Sequence, residues 1–267
     1  MSRGKDWPVS QSPYLDAERY RVCGVWIAAV RPEQAALAII EEAKSGSPFE
    51  VHLCNAYTLS LVGQDTELRE ALLRADMNLP DGTPVAWLGR RLGTAGPVRG
   101  PGLVVDTLRA GGPCGIRHYL YGGAPGVAEK MRSKLLSVYP HAQIVGAETP
   151  PYRPISNAEL AELAERIGSS KASIVWVGIG TPRQDYLVPR LASAASVAVV
   201  PVGAAFDFIS GGTKEAPLIF QGSGFEWFYR LSREPTRLWR RYLFGNIGFV
   251  MAAVRAKKRC RKERTEE

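Results

Sequence analysis

Ala172-Ser173-Ile174-Val175-Trp176-Val177-Gly178-Ile179-Gly180-Thr181-Pro182-Arg183-Gln184 is the most telling run in this chain. Its first half is almost continuously apolar and rich in β-branched residues, which suits a strand buried on both faces of a parallel sheet. Its second half turns to glycine, then to a threonine fit to cap a helix and a proline fit for the first helical position. A helix over 181–195 and a further strand over 197–202 are predicted to follow. Upstream, the same order of strand and helix recurs. A strand over 116–121 ends in Gly122-Gly123 before a helix over 127–139, and a short strand over 142–146 precedes a helix over 157–167. The segment 49–54 reads as a strand leading to a helical stretch broken at Gly63, and 21–30 as a strand leading to a helix that starts near Pro32 and stops at Ser45-Gly46. Proline and glycine gather at 93–102 and 149–154, which predicts loops there. Repeated alternation implies an α/β fold, a Rossmann-like parallel sheet flanked by helices.

The charge of the chain is unevenly placed. Residues 230–267 hold twelve Lys or Arg against four Asp or Glu, an excess equal to the formal net charge of +8, so 1–229 are balanced. The same segment contains an apolar run over 242–254 between Arg237, Arg240, Arg241 and the basic block that begins at Arg255. Apolar residues between basic clusters suit an anionic membrane surface better than a nucleic acid, and no aromatic residue interleaves the terminal basic block for stacking on bases. About 13 residues fall short of the roughly 20 needed to span a bilayer, so the segment is predicted to lie on the membrane. A frayed basic tail after a core helix is the plainer alternative. The domain reading is therefore a polar tail over 1–20, an α/β core over 21–229 and a basic helical appendage over 230–267. The polar start of the chain predicts neither a signal peptide nor an N-terminal anchor, and hence the cytoplasmic side. Cys23, Cys54, Cys114 and Cys260 are far apart and read as small apolar side chains, and His52, His118 and His141 as strand or surface residues. No metal site is expected.

In such sheets ligands sit where strands end at their carboxyl side. Four such places carry suggestive residues. Gly122 and Gly123, and again Gly178 and Gly180 ahead of Gln184, place glycines between strand and helix, where backbone N–H groups can approach a diphosphate; plain turn chemistry explains them equally well. Asp81, between Pro80 and Gly82, is either a turn residue or a general base. Asp207, four residues after Gly203, either lines a sugar pocket or caps a helix. The G-x-G-x-x-G fingerprint is absent from both glycine junctions, which favours a nucleotide-sugar enzyme over a nicotinamide-dependent oxidoreductase.

From about Val22 to Tyr242 the chain resembles the WecG/TagA/CpsF glycosyltransferases of bacterial cell-surface polysaccharide assembly. The resemblance rests on Asn55, on Pro80-Asp81-Gly82, on Arg99 with Gly102, on Tyr121-Gly122-Gly123, on Tyr139-Pro140, on the run from Gly178 to Gln184, on Gly203-Ala204-Ala205-Phe206-Asp207-Phe208, on Ala216-Pro217, and on Gly224-Phe225-Glu226-Trp227 with Glu234-Pro235-Thr236-Arg237. It implies an inverting transfer from a UDP-sugar to a polyprenyl-pyrophosphate-linked sugar at the cytoplasmic membrane face, without metal or cofactor. By the same resemblance Asp81 is the general base, Asn55, Gly122, Gly123, Gln184 and Asp207 line the pocket, and Arg99, Arg230, Arg237 and Arg240 meet diphosphate charge. No Asp-x-Asp sequence is present to clamp a divalent ion, so arginines are expected in its place. Leu53 stands where much of the family has threonine, which leaves donor identity open between N-acetylmannosamine, glucose and other hexoses. Self-association into a homo-oligomer is compatible with a terminal segment held away from the pocket.

Overall fold

The computed structural model describes residues 17–213 apart from Gly93 and Ala95, together with Phe249. It opens with an antiparallel hairpin of β1 (Arg19–Val22) and β2 (Val25–Ala28). The expected single strand over 21–30 is thus two strands. Cys23 and Gly24 turn the chain at φ values of 50° and 88°, and a two-residue turn with both φ positive matches the twist of paired strands. The rest of the chain alternates as anticipated: α1 (Pro32–Ser45), β3 (Phe49–Cys54), α2 (Ala56–Leu61), α3 (Thr66–Arg74), β4 (Met77–Pro80), α4 (Thr83–Leu88) and a 3-10 turn at Arg90–Leu92. There follow α5 (Gly100–Gly111), a second 3-10 turn at Gly112–Cys114, β5 (Arg117–Gly122), α6 (Val127–Val138), β6 (Gln143–Glu148), α7 (Asn157–Ser170), β7 (Ile174–Gly178), α8 (Arg183–Ala195), β8 (Ala198–Pro201) and α9 (Ala205–Ser210).

Six strands form one parallel sheet in the order β4-β3-β8-β7-β5-β6. Side chains divide between its faces with the strand period of two. Ile174, Trp176, Ala198 and Val200 enter one buried cluster, while Val175, Val177 and Val199 enter the other. α1, α5, α6 and α9 pack together over the first face, and α3, α7 and α8 lie on the second. Connections running from the β4 side towards β6 use the first helix layer, and those running back use the second. A uniform crossover hand requires that segregation.

Two local readings are corrected. The glycine-proline cluster over 93–102 is not all loop, because α5 starts at Gly100. Pro101 sits in the first turn, where a missing N–H costs nothing, and a Cβ on Gly100 would meet the Val202 carbonyl at 2.7 Å. α8 starts at Arg183 with Pro182 as N-cap, so Thr181 lies just outside the helix it was expected to cap. The cysteines also divide: Cys54 is buried, but Cys23 is a turn residue and Cys114 is exposed.

The hairpin is tied to the β4 edge of the sheet. Asn78 of β4 donates through Nδ2 to the carbonyls of Trp26 (3.1 Å) and Leu72 (2.8 Å), and Tyr20 donates from its hydroxyl to the Val85 carbonyl of α4 at 2.9 Å. Beneath it lies a third cluster that includes Tyr20, Ile27, Cys54, Leu59, Leu72 and Val85. Phe249 completes that cluster, 8% exposed. The apolar run over 242–254 therefore places at least one side chain in the core. Among the described residues no helix is long and apolar enough to cross a membrane.

Candidate active site

Each described candidate residue lies at or just beyond the carboxyl end of a strand or in the helix that follows, and together they form two groups. The first is polar. Asn55 ends β3 and is the N-cap of α2, its Oδ1 accepting from the Thr58 backbone N–H at 3.0 Å and the Thr58 hydroxyl at 3.2 Å. That acceptor role fixes the amide orientation and leaves Nδ2 to face Asp81, where it donates to Oδ2 at 3.2 Å. Asp81 is anchored from behind as well, its backbone N–H donating to the Cys54 carbonyl at 3.1 Å. Gly82 follows as the N-cap of α4 with φ 80°, a conformation that an L side chain rarely adopts. So Asp81 is not the cap of the helix after it. It is held at the mouth of the sheet by its neighbour strand. Val98 donates to the Pro80 carbonyl at 2.8 Å, which brings half-buried Arg99, the N-cap of α5, alongside the same strand end.

The second group is glycine-rich and close-packed. A Cβ on Gly122 would meet the backbone of Gly178 at 2.6 Å, and one on Gly178 would meet the Phe206 ring at 2.2 Å. Gly123, at φ 75°, donates its N–H to the Gly178 carbonyl at 2.9 Å, and Gly180 donates to Gln184 Oε1 at 3.1 Å. The N–H groups of Gly123 and Gly180, one at each glycine junction, are thus engaged within the protein. Gln184 is 5% exposed, and its Nε2 donates to the Thr181 hydroxyl at 3.4 Å, so the amide clamps its own turn. Asp207 lies in the first turn of α9, whose N-cap is Ala204, so it does not cap that helix. It is half-buried. α8 and α9 leave β7 and β8 towards opposite faces of the sheet, the arrangement beside which ligands bind in such folds.

Two features lay outside the sequence reading. His52 of β3 and Asp185 of α8 are both fully buried and meet at 2.9 Å through Nδ1 and Oδ1. This bond spans 133 residues of sequence and ties the strand that carries Asn55 to the helix that carries Gln184. No local pattern announces it. The second is a cavity of about 380 Å³ beside the polar group, lined by Thr83, Ala86, Trp87, Arg90, Thr94, Gly96 and Pro97. It starts two residues from Asp81.

Other placements are simpler. His118 lies in β5 and accepts from Trp176 Nε1 at 3.1 Å; burial pushes its pKa down to about 4, so the ring is a neutral acceptor. Burial likewise raises the Cys54 thiol well above its ordinary value and keeps it protonated. Leu53 points into the core cluster of the first face and is 6% exposed. Among the described residues no group of three or more His, Cys, Asp or Glu could hold a metal ion. Arg230, Arg237 and Arg240 lie outside the described residues, as does the rest of the basic appendage apart from Phe249.

A model of the glycosyl transferase WecG/TagA/CpsF family matches residues 20–263, nearly the whole chain. The protein belongs to that family, and it is accordingly a glycosyltransferase of cell-surface polysaccharide biosynthesis.

Proposed function

We propose that this member of the family is an inverting, metal-independent transferase that moves a hexose or N-acetylhexosamine, of the N-acetylmannosamine or glucose type, from a UDP-sugar to a polyprenyl-pyrophosphate-linked sugar. The observation that carries the reading is the Asn55–Asp81 hydrogen bond, 3.2 Å long, at the carboxyl edge of the sheet. A carboxylate aimed by a fixed amide is a general base in waiting. Asp81 takes the proton of the acceptor hydroxyl; the oxygen forms its new bond to the anomeric carbon from the face opposite UDP; the bond to the diphosphate oxygen breaks and its electron pair leaves with UDP. Inversion follows from one displacement. The acceptor reaches Asp81 from the cavity beside α4, and the donor lies across the ends of β7 and β8, with Gly122, Gly123, Gln184 and Asp207 around it.

Charge developing on the leaving diphosphate needs a positive partner. Arg99 is the described candidate; Arg230, Arg237 and Arg240 join it in this reading when the basic appendage closes at the cytoplasmic face of the membrane. The internal pairing of the Gly123 and Gly180 N–H groups supports an arginine-based site, since the glycine turns alone offer the diphosphate less than their sequence suggested. Leu53 in the apolar layer gives the donor no hydroxyl, so specificity rests on other pocket atoms.

Incubating the full chain with a panel of UDP-sugars and a short-chain lipid-pyrophosphate acceptor, with and without chelator, and reading products by mass spectrometry tests this. One productive pair, formed equally in chelator, is expected. Strict dependence on magnesium or manganese, or stabilisation by NAD and not by UDP, would overturn it.

A further inference from the structure

Beyond the strand ends, the most unusual surface is the ridge formed by α4 and the 3-10 turn after it. Trp87 is 65% exposed, Leu88 55% and Leu92 38%, and Arg90 and Arg91 are exposed between them. Buried Val85 and Ala86 hold the inner side of the ridge, and the Tyr20 bond to the Val85 carbonyl braces it on the hairpin. The apolar residues therefore stand outward on a fixed base. From Gly82 to Val105 the chain carries Arg90, Arg91 and Arg99 and no Asp or Glu.

From this we infer that the α4 ridge is a membrane-seating element: Trp87, Leu88 and Leu92 enter the interfacial zone of an anionic bilayer while Arg90 and Arg91 meet its headgroups. Three observations choose a lipid surface over other occupants. Exposed tryptophan and leucine interleaved with arginine is the composition that lies in a bilayer interface, where the ring stays half wet and the cations find phosphates. The charge of the stretch is of one sign, complementary to anionic lipid. Phe249, from the terminal segment that carries the protein's whole net positive charge, lies in the cluster that also holds Val85 of α4. α4 begins two residues after Asp81. Seating it on the bilayer brings the base to the depth at which a lipid-borne sugar is presented.

This inference rests on the proposed lipid-linked acceptor, and its test separates the two. Two variants avoid the cavity lining: Arg91→Gln, and Leu88→Ser combined with Leu92→Ser. The full chain and both variants are floated with vesicles of phosphatidylglycerol and phosphatidylcholine and with phosphatidylcholine alone. Transfer is then measured to a water-soluble short-chain acceptor and to a long-chain acceptor embedded in the anionic vesicles.

Arg91→Gln should weaken partition to anionic vesicles about fivefold and leave neutral vesicles unaffected. The double leucine variant should weaken both, and each variant should lose transfer to the embedded acceptor in proportion while keeping transfer to the soluble one. Flotation equal to the parent, or equal loss on both acceptors, overturns the ridge. A shift of the leucine variant from oligomer to monomer on gel filtration also overturns it, by showing that a second copy covers these residues. Absence of transfer to any acceptor by the parent refutes the function instead, and flotation still reads the ridge.

Discussion

The two halves of the carboxyl edge are built on opposite plans. Around β3 and β4, polar side chains face one another: Asn55 is oriented by Thr58 and in turn orients Asp81. Around β5, β7 and β8 there is little side chain at all, and glycines let Gly122, Gly178 and Phe206 meet at distances that exclude a methyl group. Both regions carry family motifs, the first on paired polar side chains and the second on close-packed glycines. The second supplies shape, a rigid floor against which a donor can be laid. A motif residue can thus be essential because of what it touches inside the protein.

The largest effect that would break this contrast is on rate. Asp81→Asn keeps size and hydrogen-bonding capacity but removes the proposed base, and transfer should fall by about 10²–10⁴-fold with the melting temperature within a degree or so of the parent. Undiminished transfer would move the base elsewhere and leave the polar half without a role.

Next comes acid sensitivity, which belongs to the glycine half. Burial holds His118 at a pKa of about 4 against an ordinary 6.5. Above pH 6.5 the ring is neutral in folded and unfolded chains and contributes no slope. As pH falls from 6.5 towards 4 the unfolded chain takes up a proton that the folded one refuses, so stability drops by about 1.4 kcal/mol per unit, or about 3 kcal/mol in all. Below 4 the slope vanishes. Denaturant titrations of the parent and of His118→Phe across this window should differ by that slope; parallel curves would show that the ring is not held neutral.

The smallest effect sharpens the comparison from the other side. Gly122→Ala forces a methyl group against the Gly178 backbone, and should cost about 1–3 kcal/mol of stability. Chemical denaturation reads it directly. A neutral alanine would mean that the floor is looser than its packing indicates.

Much of the scaffold was legible because it is local. Continuous β-branched runs such as 174–177 and helical spacing in α1 speak through neighbours in sequence, and they located the sheet and most of the helices. The hairpin was misread because Val22 to Val30 read as one apolar run whose only interruption is Gly24, and Cys23 beside it gives no turn signal. α5 was hidden by Gly100, Pro101 and Gly102, whose propensities argue for loop although packing on Val202 requires a glycine. Of the site, the strand-end positions of Asn55 and Asp81 could be read, but not their bond across 26 residues. The His52–Asp185 link had no signal at all, since a buried side-chain hydrogen bond is a property of two distant elements meeting.

Phe249 sets a timetable for folding. Among the described residues, the two clusters on the faces of the sheet draw on nothing after Ile209, so these parts of them leave the ribosome before Phe249 does. The cluster beneath the hairpin waits for a phenylalanine 40 residues further along the chain. The flank that carries Asn55 and Asp81 is therefore completed later than the sheet it leans on, and the nascent protein acquires its foundations first.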